Sequence, residues 1–173
     1  ANDYSGDTLL NAGTLNLGSA TAIGGMRSSG GTIHFGGGIL QHSANNATDY
    51  SARFSTANNQ FYKIDTNGQA VTLATSLISN GGSLTKLGTG RLTLAVDNTS
   101  SGGTTISAGE LQVGVGGTAG TMGSGGLTNS GLLSINRSDT VTLAYDMGGT
   151  GSLEQMGSGT TILTGNNTYS GTT

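Results

Sequence analysis

Residues 42–65 hold the residue types from which a sugar-binding site could be built. Aromatic rings stack on sugar rings, and charged side chains beside them hold the hydroxyl groups. Half of the aromatic residues of the chain lie in this stretch. The candidate ligand-binding residues are Tyr50, Arg53, Tyr62 and Lys63. If they form such a site, the two tyrosines and Arg53 share one exposed face.

The alternative, which we favour, is a structural role for the same stretch. In that interpretation Phe54 and Phe61 fill the core at a wide coil, and the other side chains are solvated. The sequence does not separate exposed from buried aromatic rings, so both interpretations remain open at this point.

The stretch also contains the only set of side chains that could serve a polysaccharide lyase. Such an enzyme needs clustered carboxylates or calcium, together with a basic residue that accepts a proton. The set is Asp49, Arg53, Lys63 and Asp65. Because a long segment of unknown path separates its members, we expect no enzyme and no catalytic residues.

Sequence patterns for metals and cofactors are absent. No carboxylate is spaced so as to complete a metal site with His34 and His42, and we expect both histidines at the surface. The repeat that binds calcium has the form Gly-Gly-x-Gly-x-Asp, and the similar segment 148–153 lacks the Asp. The glycine runs precede neither a helix nor Lys-Ser/Thr, so they are not phosphate loops. We therefore expect no metal and no cofactor.

An internal repeat sets the organisation of the chain. Residues 11–18 match residues 107–114 at an offset of 96, and residues 82–94 match residues 151–163 at an offset of 69. The offsets differ by 27 residues, which fits one inserted coil of a β-solenoid, because such a coil takes roughly 20 to 30 residues. Since the chain begins and ends within repeats, we expect a fragment of a longer repeat array.

Short bursts of alternating aliphatic residues predict strands bounded by Gly, Asn or Ser. Glycine interrupts every stretch that could show helical spacing, so we expect almost no helix. The sequence therefore predicts an all-β solenoid of at least five coils, on the scale given by the repeat length. Its predicted core contains Leu15, Leu17, Leu92, Leu94, Leu111 and Val113. Strict alternation then points the intervening Asn16, Thr93 and Gln112 outward.

Composition favours a packed array over disorder. Gly, Thr, Ser and Asn make up more than half of the chain, but the net charge is only -3 and there is no proline. The six Lys and Arg residues are scattered, which argues against binding to nucleic acid or to an anionic membrane. The absence of cysteine excludes disulfides and thiolate metal sites.

Three consecutive blocks, residues 65–73, 82–94 and 101–114, carry a family resemblance. The second contains Leu84-Thr85-Lys86-Leu87-Gly88-Thr89-Gly90, and the third contains Ala108-Gly109-Glu110-Leu111-Gln112-Val113-Gly114. In order and spacing they resemble the autotransporter-associated β-strand repeat of large bacterial surface proteins. The last copy departs from the family pattern, because it has Glu154-Gln155-Met156 where Thr-Lys and a small residue are usual. We expect a less regular coil there.

The resemblance implies a fold, a location and a set of partners. The fold is a right-handed parallel β-helix that forms the exported stalk of an autotransporter or adhesin, without catalytic residues. It would lie at the cell surface, anchored in the outer membrane through parts outside this chain. Expected partners are neighbouring repeats of the same chain, further copies or surface glycans, with no nucleic acid and no membrane insertion of this segment. The alternative is a carbohydrate-binding or polysaccharide-degrading β-helix with its site in residues 42–65.

We expect one β-helix segment over residues 1–173 rather than several domains. Its predicted parts are a partial repeat, a wider coil region, a full repeat, connecting coils and a second partial repeat. They span residues 1–18, 33–70, 71–114, 115–148 and 149–173.

Overall fold

Short β-strands make up almost all of the regular structure. The computed structural model describes residues 2, 4–24 and 30–173. Within these residues the only helix is a 3-10 turn at Ser51–Arg53. The strands of the described part are β1 (Thr8–Leu10), β2 (Thr14–Asn16), β3 (Ile33–Phe35), β4 (Ile39–Gln41), β5 (Phe61–Asp65), β6 (Ala70–Leu73), β7 (Ser83–Leu87), β8 (Arg91–Leu94), β9 (Thr104–Ile106), β10 (Glu110–Val113), β11 (Leu127–Asn129), β12 (Leu132–Ile135), β13 (Thr140–Leu143), β14 (Met147–Gly148), β15 (Ser152–Gln155) and β16 (Thr160–Leu163).

These strands pair in parallel with strands of the neighbouring coils. The first long sheet has the order β2-β4-β5-β7-β9-β11-β14, and the second long sheet has the order β6-β8-β10-β12-β15. Two smaller parallel pairs flank these sheets. β1 and β3 precede the strands β2 and β4 of the first long sheet, and β13 and β16 follow the strands β12 and β15 of the second. The result is a β-solenoid of about 7 turns. It confirms the predicted all-β solenoid with at least five coils.

Equivalent positions of successive strands form columns of side chains along the solenoid. In the second long sheet one column contains Val71, Leu92, Leu111, Leu133 and Leu153, and another contains Leu73, Leu94, Val113, Ile135 and Gln155. Every aliphatic member of these columns is buried. Of the predicted core residues, all are buried except Leu15, which is half-buried and packs against the core. A few aliphatic residues per coil therefore suffice for a continuous core.

The predicted outward row is exposed only in part. Asn16 is exposed, but Thr93 and Gln112 are only 6% and 5% exposed, so the prediction was wrong for these two residues. They stack in register with Ser134, which is fully buried. Neighbouring strands lie about 4.8 Å apart, so the side chains of one row cover each other. The Gln112 amide also folds back and donates to the Gly114 carbonyl at 2.8 Å.

The offset of 96 residues corresponds to four coils and one further strand. The column of Leu15 continues through the first long sheet to Ile106, by way of Leu40, Ile64 and Lys86. Leu111, the sequence equivalent of Leu15, lies on the following strand in the second sheet. The second copy of the repeat therefore begins one side further round the solenoid axis than the first copy, so that equivalent residues lie in different sheets.

The offset of 69 residues corresponds to three coils and one further strand. The column of Leu84 reaches Met147 by way of Thr104 and Leu127. Leu153, the sequence equivalent of Leu84, lies on the next strand, again in the second sheet. The two offsets thus differ by one coil, as the sequence predicted, and the third copy is rotated by another side.

The coil that was expected to be less regular is regular. Its strand β15 pairs with β12 at all four positions, from Leu132 opposite Ser152 to Ile135 opposite Gln155. The expectation was wrong because Gln155 has the register position of Lys86 in the preceding copy, and its amide, although exposed, also donates to the carbonyls of the following turn.

Backbones of successive turns are in direct contact at the corner between the two long sheets. A Cβ atom on Gly131 would lie 2.4 Å from the Gly109 carbonyl oxygen, and one on Gly109 would lie 2.5 Å from that of Gly90. Contacts this short leave no room for a side chain. The glycines at this corner are therefore required by the close approach of the coils.

We predict that Gly131→Ala destabilises the solenoid by about 1 to 3 kcal/mol, because the added methyl group forces the stacked turns apart. Gly117→Ala is the matched control, since a Cβ at Gly117 has no atom within 4 Å. The control should change the free energy of unfolding by less than about 1 kcal/mol. Urea denaturation followed by circular dichroism measures both. Equal stabilities of the two variants would contradict the close packing at this corner.

Candidate functional site

The aromatic residues of the 42–65 stretch are mainly part of the core. Tyr62 is 1% exposed and Phe54 is 7% exposed. Both rings pack edge-to-face against the Phe35 ring. The distance from the Phe35 ring centre is 4.8 Å to the Phe54 ring centre and 5.3 Å to the Tyr62 ring centre. The Tyr62 hydroxyl donates to the Ser55 carbonyl at 2.7 Å, and burial raises the pKa of Tyr62. These contacts give Tyr62 a structural role.

Tyr50 and Arg53 lie together, but both are held by contacts within the protein. The Arg53 guanidinium carbon is 5.9 Å from the centre of the Tyr50 ring. Its Nε donates to the Gly31 carbonyl at 2.9 Å, and Nη1 donates to the Ile23 carbonyl. The Tyr50 hydroxyl accepts a hydrogen bond from Asn46 at 2.8 Å, and the ring is buried. Arg53 thus joins the turn that contains it to the preceding coil.

Phe61 and Lys63 lie on the outer face of the first long sheet. They alternate along β5 with the inward residues Tyr62 and Ile64, and Phe61 is 44% exposed. The half-buried Lys63 donates from Nζ to the Gly37 carbonyl at 3.0 Å. The expectation that Phe61 fills the core was therefore wrong, because the alternation of β5 places it outside.

The structure does not bring the four candidate residues to one exposed surface. Tyr50 and Tyr62 are buried, Arg53 is occupied by backbone carbonyls, and Lys63 lies on the outer face of β5. A sugar-stacking platform made from both tyrosines is therefore excluded by burial. Ligand binding by the more accessible Arg53 and Lys63 stays a prediction.

The two histidines have different environments. His34 is partly exposed, and its Nε2 lies 3.2 Å from the Asp7 carboxylate. His42 is 1% exposed, so the expectation of two surface histidines was wrong for it. Its Nδ1 lies 3.3 Å from the Asn46 carbonyl, to which it donates as the protonated ring nitrogen. Burial lowers the pKa of His42, while the carboxylates of Asp49 and Asp65 act in the opposite direction.

Lys86 is a buried cation that was not among the predicted site residues. It is 0% exposed and lies in the inward column between Ile64 and Ile106. Its Nζ donates to the carbonyls of Leu87, Gly88 and Ala108 at 2.9, 2.7 and 3.1 Å. Burial lowers its pKa to about 8, against the opposite effect of the Asp65 and Glu110 charges. The strand spacing of two from the buried Leu84 indicates the inward position of Lys86, but not the carbonyl acceptors that surround its amine.

Arg137 is a second buried cation with a structural role. Its guanidinium donates to Asp139 through Nε at 2.9 Å and through Nη2 at 2.7 Å. The same group donates to the carbonyls of Gly120 and Thr118. It therefore fixes the loop between β10 and β11 against the following coil.

We predict that Phe54→Ala destabilises the protein by about 3 to 5 kcal/mol, because it removes a buried ring from the Phe35–Tyr62 cluster. The matched variant Phe61→Ala removes an exposed ring of the same kind and should cost about 1 kcal/mol or less. Chemical denaturation of both variants gives the comparison. A larger loss for Phe61→Ala would contradict the observed orientation of β5.

A second prediction concerns pH and His42. The folded-state pKa is lowered, so the stability contributed by neutral His42 is complete above the unfolded-state pKa near 6.5 and declines as pH falls towards the folded-state value. Stability should therefore fall as pH falls through that window, with a slope below the limit of about 1.4 kcal/mol per pH unit for one proton. The variant His42→Gln should lose this slope, whereas His34→Gln should keep it. Unfolding curves between pH of about 4 and 7.5 measure the difference.

In residues 2, 4–24 and 30–173, no group of three His, Asp or Glu residues is arranged so that it could hold a metal ion. The same ranges contain no helix of the length and apolar character needed to cross a membrane.

Comparison with known proteins connects the repeats to a family. The pattern of the passenger-associated-transport-repeat family matches residues 1–17, 84–113 and 153–173. The chain is also 39% identical over 159 residues to the adhesin BmaC autotransporter of Brucella suis biovar 1 (strain 1330). The match covers 88% of this chain and 4% of that relative, so the chain corresponds to a small part of it. No solved structure matches the chain.

Proposed function

We propose that this chain, a stretch of autotransporter passenger repeats, is a non-catalytic stalk segment of a bacterial cell-surface protein. It spaces other parts of that protein from the outer membrane in which the protein is anchored. The observation that carries the proposal is the continuous parallel ladder, with inward columns that run through successive coils. At about 4.8 Å per coil, such a ladder forms an extended rod rather than a closed globule.

A non-enzymatic role is supported by the contacts of the possible lyase residues. Asp49 accepts hydrogen bonds from the backbone N–H groups of Ser51 and Ala74. Asp65 accepts from the backbone of Asn67 and from Gln41. Arg53 donates to the Gly31 carbonyl, and Lys63 donates to the Gly37 carbonyl. Each member of the set therefore has a structural partner, which leaves the set without a free acid and base pair.

Coil stacking also supplies a mechanism by which the segment would assist its own export. An exported chain that folds coil by coil outside the cell buries aliphatic side chains at about 25 cal/mol per Å² of apolar surface. Each new coil needs only the preceding one as its template, because contacts in a solenoid are between neighbours. Folding at the outer side then disfavours backward movement of the chain.

The proposed partners follow from the same surfaces. The main partner is the adjacent repeat of the same polypeptide, which pairs with the strand edges of the terminal coils. Adhesion through surface glycans or through a further copy of the chain is the second part of the proposal, supported by the adhesin name of the relative. The net charge of -3 argues against nucleic acid as a partner.

The export role can be tested with a matched pair of variants in a surface-displayed passenger that carries this segment. Leu111→Ser places a hydroxyl in a fully buried position, whereas Val115→Ser changes a residue that is 58% exposed. We expect Leu111→Ser to reduce the displayed fraction several-fold, since the change costs a few kcal/mol of coil stability. Val115→Ser should have no effect. Protease accessibility of a tag ahead of the segment measures display.

Equal display of the two variants would contradict a contribution of coil stacking to export. The glycan alternative has a separate test on the purified chain, namely a glycan array read with Lys63→Ala beside the unchanged protein. Specific binding that disappears in this variant, while the fold is kept, would support a sugar site on the outer face of β5. Loss of polymer length in a polysaccharide substrate would contradict the non-catalytic assignment.

A further inference from the structure

Lys86 and Gln155 hold the same place in two copies of the repeat. They are 69 residues apart, which is the offset that relates residues 82–94 to 151–163. In register, Lys86 lies opposite Ile64 and Ile106, and Gln155 lies opposite Ile135. Lys86 is fully buried, whereas the Gln155 side chain is exposed. We call this place the turn-capping position.

Both side chains donate to the carbonyls of the turn that follows their strand. Lys86 donates to Leu87 and Gly88, and Gln155 donates to Gly157 and Gly159 at 3.0 and 3.1 Å. Gly157 is the sequence equivalent of Gly88, so one acceptor is shared by the two copies. An ammonium and an amide thus perform the same contact in different copies.

Lys86 also reaches into the next coil. Its third acceptor is the Ala108 carbonyl, in the turn between β9 and β10. A Cβ atom on the adjoining Gly109 would lie 2.8 Å from the Lys86 amine. The following turn therefore has both the acceptor and the glycine that its contact with Lys86 requires.

We infer that the turn-capping position is the point of attachment for the next coil, and that it requires N–H donors rather than a charge. Its occupant first holds the turn of its own coil and then binds the turn of the coil that is added. The partner surface is the β9–β10 turn of the same chain. The attachment of the next coil is a property of the fold itself. Its use during export rests on the proposed function.

A simpler interpretation is that Lys86 is a buried charge that the fold tolerates. Among the described residues no carboxylate forms an ion pair with Lys86, and the nearest opposing charges, Asp65 and Glu110, act at longer range. Under that interpretation an apolar replacement of similar shape is neutral or stabilising. Under ours the same replacement removes the donor of the Gly88 and Ala108 carbonyls, which is costly, whereas the Leu87 carbonyl keeps its hydrogen bond from the Thr66 N–H. The two interpretations therefore differ in the sign of the effect.

The test compares Lys86→Gln and Lys86→Met in the purified chain. We expect Lys86→Gln to keep the urea midpoint closer to that of the unchanged protein than Lys86→Met does, because the amide of Gln155 donates to the equivalent turn. Lys86→Met should lower the midpoint and accelerate unfolding by about tenfold or more. Lys63→Met is the matched control, since Lys63 donates to a single carbonyl on the outer face, and its effect should be small.

Hydrogen exchange adds a readout that a general loss of stability does not give. In Lys86→Met the amides of β9 and β10 should exchange faster than those of β4 and β5. A Lys86→Met protein as stable as the unchanged one would overturn the inference, and so would equal damage, including failure to fold, in both Lys86 variants. If the purified variants behave as expected but surface display does not change, the inference stands and the export role fails.

Discussion

Parallel stacking in register is the constraint on which the rest of this structure depends. Each strand takes its hydrogen-bonding partners from the coils on either side, so no coil satisfies its backbone alone. The same register places equivalent side chains one above another at about 4.8 Å. Leu92, Leu111 and Leu133 therefore form one uninterrupted apolar column. A chain with few aliphatic residues can build a core because each coil adds only its own layer.

The alternation of apolar residues predicted the column of the second sheet correctly, because period-two alternation is a local property of a strand. It failed where burial depends on the neighbouring coils. Thr93 and Gln112 are buried by residues about 20 positions away in sequence, and no local pattern contains that information. His42 and Tyr62 were misplaced for the same reason. The course of the chain between β4 and β5 decides whether these two side chains point towards the core.

Lys86 illustrates a different limit of sequence analysis. A lysine between strand leucines is normally assigned to the solvent, since its charge is costly to bury. Here the tight turn after β7 directs carbonyl oxygens towards the amine, and the next turn adds another. The family resemblance marked the residue without explaining it. Its role became visible only with the positions of the two turns, which the backbone geometry of Gly88 and Gly109 sets.

The rotation of successive repeat copies has a consequence for how this surface meets its surroundings. Because each copy starts one side further round the axis, a surface feature carried by the repeat traces a spiral instead of a straight line. A flat opposing surface, such as another cell, then faces a given feature only where the spiral turns towards it. A flexible polymer that winds along the rod meets the feature in every copy. The rotation of each repeat copy by one side of the solenoid thus decides whether such a rod discriminates between flat and filamentous partners.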